Sequence, residues 1–355
     1  MVKLSLEKTI AGIKPLDRVC MEAASARQDT LTKPLGSLGR LEEISIQLAG
    51  IYGEVTPMPK SKLIILAAAD HGVVSEGVSA YPQDVTAQMV LNFIRGGAAI
   101  NVLARQAGAR VIIVDAGVAA ELPSDPHLVS LTIGKGTANM AKGPAMSREQ
   151  ARQCIEYGIA IVTSEIEKGA DLIGTGDMGI GNTTAASAIT SVIADCPPLE
   201  VTGFGTGISE EQRRHKAEVI QRAIRVNQPD RTDGLDVLAK VGGYEIGVLA
   251  GVMLGGAAAR RPVLVDGFIS GAAALIAHTI CPRVRDYFIA SHLSVETGHT
   301  QVLKHLGIKP VLNLNMRLGE GTGAILAMHV VEAAARCLSE MATFAEASVS
   351  EKCED

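Results

Sequence analysis

The sequence is poor in aromatic residues and has no excess of basic ones. Phe, Trp and Tyr make up 3% of its 355 residues, and tryptophan is absent. Stacking platforms for nucleic-acid bases are therefore not expected, and the hydrophobic core must be aliphatic. The 33 basic and 38 acidic side chains give a formal charge of −5, which argues against a nucleic-acid-binding protein.

The sequence also lacks paired cysteines and long apolar segments. Its six cysteines are scattered and form no C-x-x-C pair, so reduced thiols are expected rather than a disulfide framework or a thiolate metal site. The N-terminal segment has no apolar run typical of a secretory signal. The nearest approach to a membrane span, 246–259, is too short and is predicted to be a buried helix. A cytoplasmic protein is therefore expected.

Short β-branched runs alternate with helical segments through most of the chain. The predicted strands are 63–69, 110–114, 170–174, 262–265, 287–290 and 310–315. The predicted helices include 84–106, 147–167, 182–194, 209–226, 244–259, 267–280 and 321–343. Nearly continuous apolar strands separated by helices indicate a parallel sheet covered on both faces. We therefore predict an α/β domain with a doubly wound, Rossmann-like parallel sheet over residues 59–335.

The two ends of the chain differ from this central part. Residues 1–58 are helical and charged and carry no strand signal, and residues 336–355 are also helical. This shared character predicts a small helical subdomain that is built from both termini.

Glycine is the residue in clear excess, at 37 of 355. One cluster lies in 174–184, where Gly179, Gly181 and Asn182 stand at the start of a predicted helix. Exposed N–H groups and the helix dipole at such a place favour an anion such as phosphate. A well-capped strand-to-helix turn explains the same residues equally well.

A second cluster contains Gly203 and Gly205, and Lys216 follows in the next predicted helix. These residues are candidates for a phosphate cradle with a lysine counter-charge. Taken alone, the pattern favours an ordinary solvated helix, because Arg213 and Arg214 precede the lysine.

Glu320 is the most informative carboxylate in the sequence. It lies between Gly319 and Gly321 and separates a predicted strand from a long apolar helix. At the carboxyl end of a strand it would face the ligand crevice, where partial desolvation raises the pKa of a carboxylate toward that of a useful general base. The alternative is an acid that only complements the dipole of the following helix.

The segment after the first strand argues against two other classes of protein. Asp70 and His71 have no further ligand at metal-site spacing, so no metal is expected. They also stand where a dinucleotide-binding fingerprint belongs, which disfavours a nicotinamide-dependent dehydrogenase. The sequence has no G-x-S-x-G motif of a serine hydrolase.

The motifs together resemble one enzyme family over nearly the whole chain. The segments that carry the resemblance are KPLGSLGRLE (33–42), AADHGVVSEGVS (68–79), GTGDMGIGNTT (174–184), NQPD-x-x-DG-x-DVL-x-KVGG (227–243), VLVDGF (263–268) and NMRLGEGTGA (315–324). They are similar to the nicotinate-nucleotide:dimethylbenzimidazole phosphoribosyltransferases, the CobT family. These enzymes make the lower-ligand nucleotide of cobamides, the vitamin B12 class, typically as dimers with a small helical domain made from both termini.

The resemblance implies a reaction and a set of roles. The phosphoribosyl group of nicotinate mononucleotide is transferred to a lower-ligand base, with inversion at C1′ and release of nicotinate. Glu320 matches the family's catalytic base. The residues implied in nucleotide and phosphate binding are Gly179, Gly181, Asn182, Gly203, Gly205, Lys216, Ser291, Gly319 and Gly321. The resemblance implies no cofactor and no metal.

The implied acceptor pocket departs from the benzimidazole-using members. Tyr81 stands where a small Ser is usual, Met89 where a Gln is common, and Asp177 followed by Met178 where Glu and Leu are usual. Such a pocket is more polarizable and favours a one-ring acceptor such as phenol or p-cresol. In this the sequence resembles ArsA, one subunit of the heterodimeric phenol-activating members. Ordinary dimethylbenzimidazole transfer and a non-catalytic partner subunit remain the alternatives.

Overall fold

A parallel six-stranded sheet forms the centre of the computed structural model, which describes residues 5–131, 133–205 and 207–350. The strands are β1 (Lys62–Ala69), β2 (Arg110–Gly117), β3 (Leu128–Ser130), β4 (Leu172–Met178), β5 (Val263–Val265) and β6 (Phe288–Ala290). Their order across the sheet is β3-β2-β1-β4-β5-β6, and every pair is parallel. This is the strand order of a doubly wound dinucleotide-binding sheet, which confirms the predicted fold class.

Helices cover both faces of the sheet. The α-helices are α1 (Leu6–Gly12), α2 (Arg18–Thr30), α3 (Arg40–Tyr52), α4 (Val85–Ile94), α5 (Ala99–Ala107), α6 (Arg148–Glu167), α7 (Asn182–Ile193), α8 (Pro198–Val201), α9 (Glu210–Asn227), α10 (Gly234–Val241), α11 (Tyr244–Ala258), α12 (Phe268–Ile280), α13 (Thr297–Leu306), α14 (Thr322–Glu340) and α15 (Phe344–Ala347). Two short 3₁₀ helices cover Gly72–Glu76 and Pro282–Tyr287. Within the described ranges, no helix has the length and apolarity that a membrane crossing requires.

The central strand β1 shows why this sequence forms a sheet with two covered faces. Its residues alternate between two hydrophobic clusters: Leu63 and Ile65 pack with α11, whereas Ile64 and Leu66 pack with α14. A strand that is buried on both faces needs apolar side chains at every position, which is what the sequence supplies.

The two ends of the chain contact each other. The Arg27 guanidinium donates hydrogen bonds to the carbonyls of Leu338 at 2.7 Å and Met341 at 3.3 Å, and Leu31 forms an isolated β-bridge with Thr343. The predicted boundary at residue 336 falls inside α14, which runs from the sheet to the N-terminal helices. The helical subdomain itself remains a prediction.

The elements differ from the prediction at several places. The predicted strand 310–315 is reduced to one bridge, between Leu312 and His292; Pro310 has no N–H to donate. The predicted helix 84–106 is divided into α4 and α5, because Gly96 adopts a φ of 76° between them. The edge strand β3 and the helices α8, α10 and α13 were not predicted.

Candidate active site

The main cleft lies where the order of the strands reverses. Beyond β1 the chain continues outward to β2, and beyond β4 it continues outward to β5, on the other side. The loops after β1 and β4 therefore diverge and leave a crevice, the usual ligand position in such sheets. The crevice has a volume of about 610 Å³.

Nine of the residues predicted from the sequence line this cleft: Tyr81, Met89, Asp177, Met178, Gly179, Asn182, Gly205, Gly319 and Glu320. Gly181 and Lys216 line a smaller recess that shares Gly179, Asn182 and Gly205 with the cleft. Gly203, Ser291 and Gly321 do not line either cavity and lie behind their walls. The structure therefore brings most of the predicted residues to one place.

Glu320 is held in an unusual backbone conformation at the floor of the cleft. Its φ is 62°, and the flanking Gly319 and Gly321 have φ values of 85° and 87°. Residues other than glycine rarely adopt such positive φ values, and the exceptions concentrate at functional sites. Oε2 of Glu320 is buried and has no hydrogen-bond partner among the described residues, and burial raises the pKa of Glu320.

The turn that carries Glu320 is fixed by a buried carboxylate. Asp266, directly after β5, accepts hydrogen bonds from the N–H of Gly321 at 3.2 Å and of Ala324 at 2.8 Å. These are free N–H groups of the first turn of α14, so the carboxylate also complements the helix dipole. Asp266 thereby positions the loop and, through it, Glu320.

Asp177 ends β4 and is the second carboxylate in the cleft. One of its oxygens accepts a hydrogen bond from Asn182 Nδ2 at 3.0 Å; the other is buried without a partner among the described residues. Burial, and then the charges of Asp266, Glu245 and Glu320, raise the pKa of Asp177 well above its ordinary value. Its partnerless oxygen is therefore free to bind a polar group of a ligand.

Two cations lie at this site, Arg317 in the cleft and Lys216 in the adjoining recess. Lys216 is buried in the recess and donates a hydrogen bond to Thr183 Oγ1 at 2.6 Å, and burial lowers the pKa of Lys216 to about 8. Arg317 donates to the carbonyl of Gly205 at 2.6 Å. Together with the N-terminus of α7, these groups form a site that favours an anion.

Three of the predicted residues act from behind the walls of the cavities. A Cβ on Gly203 would collide with the carboxylate of Glu296, so this glycine leaves room for an acid. The Ser291 hydroxyl donates to the carbonyl of Asp266 at 2.9 Å. Gly321 supplies one of the N–H groups that Asp266 binds.

Several residues of the cleft were not assigned by sequence analysis, namely Ser294, Glu296 and Arg317 with the apolar Phe268 and Ile269. Glu296 precedes α13, a helix that the sequence did not predict. Arg317 stands within the segment NMRLGEGTGA, so the motif did contain a signal for it. His292 also lines the cleft, as its position after a predicted strand indicates.

A buried ion pair lies behind the glycine loop 179–181. His71 Nε2 is 2.7 Å from Glu245 Oε1. Burial opposes a charge on His71, but the Glu245 carboxylate raises the pKa of His71 overall. The Cβ positions of Gly179 and Gly181 would lie 3.5 Å and 3.3 Å from the His71 side chain. The pair therefore supports the loop from below.

Comparison with known proteins identifies the family. A phosphoribosyltransferase family model, DBI_PRT, matches residues 13–349. A protein of Roseiflexus sp. (strain RS-1) is 58% identical over 350 residues, covering 99% of both chains. One of Chloroflexus aggregans is 60% identical over 347 residues, covering 98% of both. Both are called nicotinate-nucleotide–dimethylbenzimidazole phosphoribosyltransferase. The chain belongs to the CobT family of phosphoribosyltransferases.

A solved member of the CobT family has the same fold. The crystal structure of the nicotinate-nucleotide–dimethylbenzimidazole phosphoribosyltransferase of Thermus thermophilus matches with a TM-score of 0.91 and 47% identity, covering 95% of this chain and 100% of that one. The predicted family and enzyme class are thus confirmed, and this CobT family member is a pentosyltransferase. Its closeness to the phenol-activating ArsA-type subunits stays a prediction.

Proposed function

We propose that the protein transfers the phosphoribosyl group of nicotinate mononucleotide to an aromatic lower-ligand base, giving an α-ribotide for cobamide biosynthesis and releasing nicotinate. One observation carries this proposal: the recess that adjoins the cleft contains a buried cation, Lys216, and the cleft itself contains Glu320, whose Oε2 has no hydrogen-bond partner among the described residues. A nucleotide donor needs the first for its phosphate, and an acceptor that must lose a proton needs the second.

The donor is expected to lie with its phosphate toward Lys216 and the N-terminus of α7. Gly179 lines the cleft, Gly181 lines the recess, and the N–H groups at the start of α7 follow directly as donors for the phosphate. The pyridinium ring and C1′ then point toward Asp177 and Glu320. This orientation keeps the phosphate away from Asp177 and Glu320, whose negative charges would repel it.

The acceptor attacks C1′ from the face opposite nicotinate. A bond forms between C1′ and the nitrogen or oxygen of the acceptor, the bond from C1′ to the pyridinium nitrogen breaks, and nicotinate leaves with the electron pair. Glu320 takes the proton of the acceptor as the new bond forms. Because attack and departure occur on opposite faces, the β-linkage becomes an α-linkage.

Dimethylbenzimidazole is the first candidate acceptor, since it appears in the names of relatives 56–60% identical to this chain. Phenol or p-cresol is the second, and a specific observation favours it. Tyr81, Met89 and Met178, the residues that depart from the benzimidazole-using pattern, all line the cleft together with Glu320. The phenol hypothesis further proposes a heterodimer with a paralogous chain.

A product assay tests the reaction and the acceptor together. The purified chain, alone and co-expressed with a paralogous chain, is mixed with nicotinate mononucleotide and equal amounts of p-cresol and dimethylbenzimidazole, and the products are resolved by mass spectrometry. A ribotide of either acceptor supports the proposal and its identity selects the candidate. If neither forms even with the paralogue present, the chain is a non-catalytic subunit and the proposal fails.

Variants of the acceptor end test the specificity argument. In Tyr81→Ser with Met89→Gln and Met178→Leu, we expect the rate ratio of p-cresol to dimethylbenzimidazole to fall at least about tenfold, a typical effect of reshaping an apolar pocket. Met341→Leu, outside the cleft, is the matched control. An unchanged ratio in the triple variant would contradict the specificity role of these residues.

A further inference from the structure

Glu296 is a buried acid that the reaction described above does not use. It precedes α13 and lines the cleft, with 8% of its surface exposed. Its Oε2 atom lies against Gly203 and has no hydrogen-bond partner among the described residues. A buried carboxylate oxygen without a partner is costly, so its presence needs an explanation.

The charges nearby do not satisfy this carboxylate. Burial raises the pKa of Glu296, while Lys216, Arg317 and the N–H of Gly205 act in the opposite direction. Within residues 5–131, 133–205 and 207–350, however, no ion pair shorter than 4 Å joins Glu296 to either cation. A second negative charge at an anion site also weakens phosphate binding. Besides balancing the charge of Lys216, this carboxylate can accept hydrogen bonds that a ligand brings to it.

The position of Glu296 indicates which part of the ligand supplies them. On one side it adjoins Gly203 and Gly205, next to the recess of Lys216. On the other, the N–H of Val295 donates to the carbonyl of Met316 at 3.1 Å, which ties Glu296 to the segment that leads to Glu320. Glu296 thus lines the cleft that contains Glu320 and adjoins the recess that contains Lys216.

In a nucleoside monophosphate, the part between the phosphate and C1′ is the ribose ring with its two hydroxyl groups. These are neutral hydrogen-bond donors, and a carboxylate accepts two such bonds from neighbouring hydroxyls. We propose that Glu296 binds the 2′- and 3′-hydroxyls of the donor ribose and makes the enzyme selective for ribonucleotides. This inference rests on the proposed function and assigns the sugar-recognition residue of the same site.

Deoxy analogues of the donor test this assignment. The wild-type protein is compared with Glu296→Gln and Glu296→Ala, using nicotinate mononucleotide and its 2′-deoxy and 3′-deoxy forms. We expect the wild type to prefer the ribonucleotide in kcat/KM by about ten- to a hundredfold, as hydrogen bonds to a charged group contribute. The preference should fall about tenfold or more in Glu296→Gln and disappear in Glu296→Ala.

Equal losses on all donors overturn the proposal, because a carboxylate that only balances the charge of Lys216 does not distinguish a hydroxyl from hydrogen. Glu211→Gln, an exposed acid on α9, is the matched control. Thermal melting shows whether the variants fold. If the wild type makes no ribotide, the proposed function fails, and calorimetric binding of the three donors decides the present inference separately: equal affinities for all three refute it.

Discussion

The close approach of β4 to the turn that holds Glu320 leads to a quantitative prediction. A Cβ on Gly176 would lie 2.5 Å from the Glu320 carbonyl oxygen and 2.9 Å from the Gly321 nitrogen. These are backbone atoms, so Gly176→Ala must displace the turn by about 1 Å to restore an ordinary contact. Overpacking of this size costs about 1–3 kcal/mol of stability. A misplacement of about 1 Å in a reacting group lowers the rate by about 100-fold.

Thermal melting and steady-state kinetics measure the two effects. With an unfolding entropy of about 2.1 cal/mol/K per residue, a 355-residue chain loses about 1.3 °C for each kcal/mol, so Gly176→Ala should lower Tm by about 1–4 °C. Gly143→Ala is the matched control, because its added Cβ meets no atom within 4 Å. If Gly176→Ala keeps wild-type kcat/KM, the turn does not position a catalytic group and the reasoning is wrong.

Two further predictions concern ionisable groups in the cleft. Because burial raises the pKa of Glu320, kcat/KM should rise with pH as this carboxyl loses its proton, at a pH above 4.5. Glu320→Gln should abolish this rise and lower the rate by a factor of about 10²–10⁴. An unchanged pH profile in this variant would exclude Glu320 as the general base. Because burial lowers the pKa of Lys216 to about 8 from 10.5, the folded state binds fewer protons and stability rises with pH between about 8 and 10.5. Denaturant titration should therefore give Lys216→Met a free energy of unfolding up to about 3 kcal/mol higher than that of the wild type at pH 7, and a smaller difference at pH 10. The prediction is contradicted if the variant is less stable and its stability depends on pH as in the wild type.

The strands that could be predicted are those whose environment leaves a signal in their own residues. β1 is buried on both faces, so its sequence is a continuous apolar run. β3 has three half-exposed or exposed residues at the edge of the sheet and pairs only with β2, so its sequence resembles a loop. In the apolar segment 310–315, the N–H groups of Val311 and Leu312 bond to Ala290 and Ser291, but Pro310 has no N–H to extend the ladder.

The same distinction applies to the site. Glu320 and Asp177 could be proposed because each stands next to glycines in a recognisable motif. Glu296 could not, because its importance comes from contacts with Gly203 and from the link between Val295 and Met316, which are distant in the chain. Asp266 stands directly after a strand, and its neighbours in the sequence do not show which helix it caps. Its capping of α14 depends on the three-dimensional course of the chain.

The cluster of carboxylates in the cleft has a collective consequence for the proposed reaction. Burial, and then the negative charge of Asp266, raises the pKa of both Asp177 and Glu320. The donor carries a positive pyridinium, and as its bond to C1′ breaks, this positive charge moves onto the ribose. Fixed negative charge in a low-dielectric site stabilises such a transition state more than it would in water. Glu320 is therefore expected to contribute both as a base and by its charge.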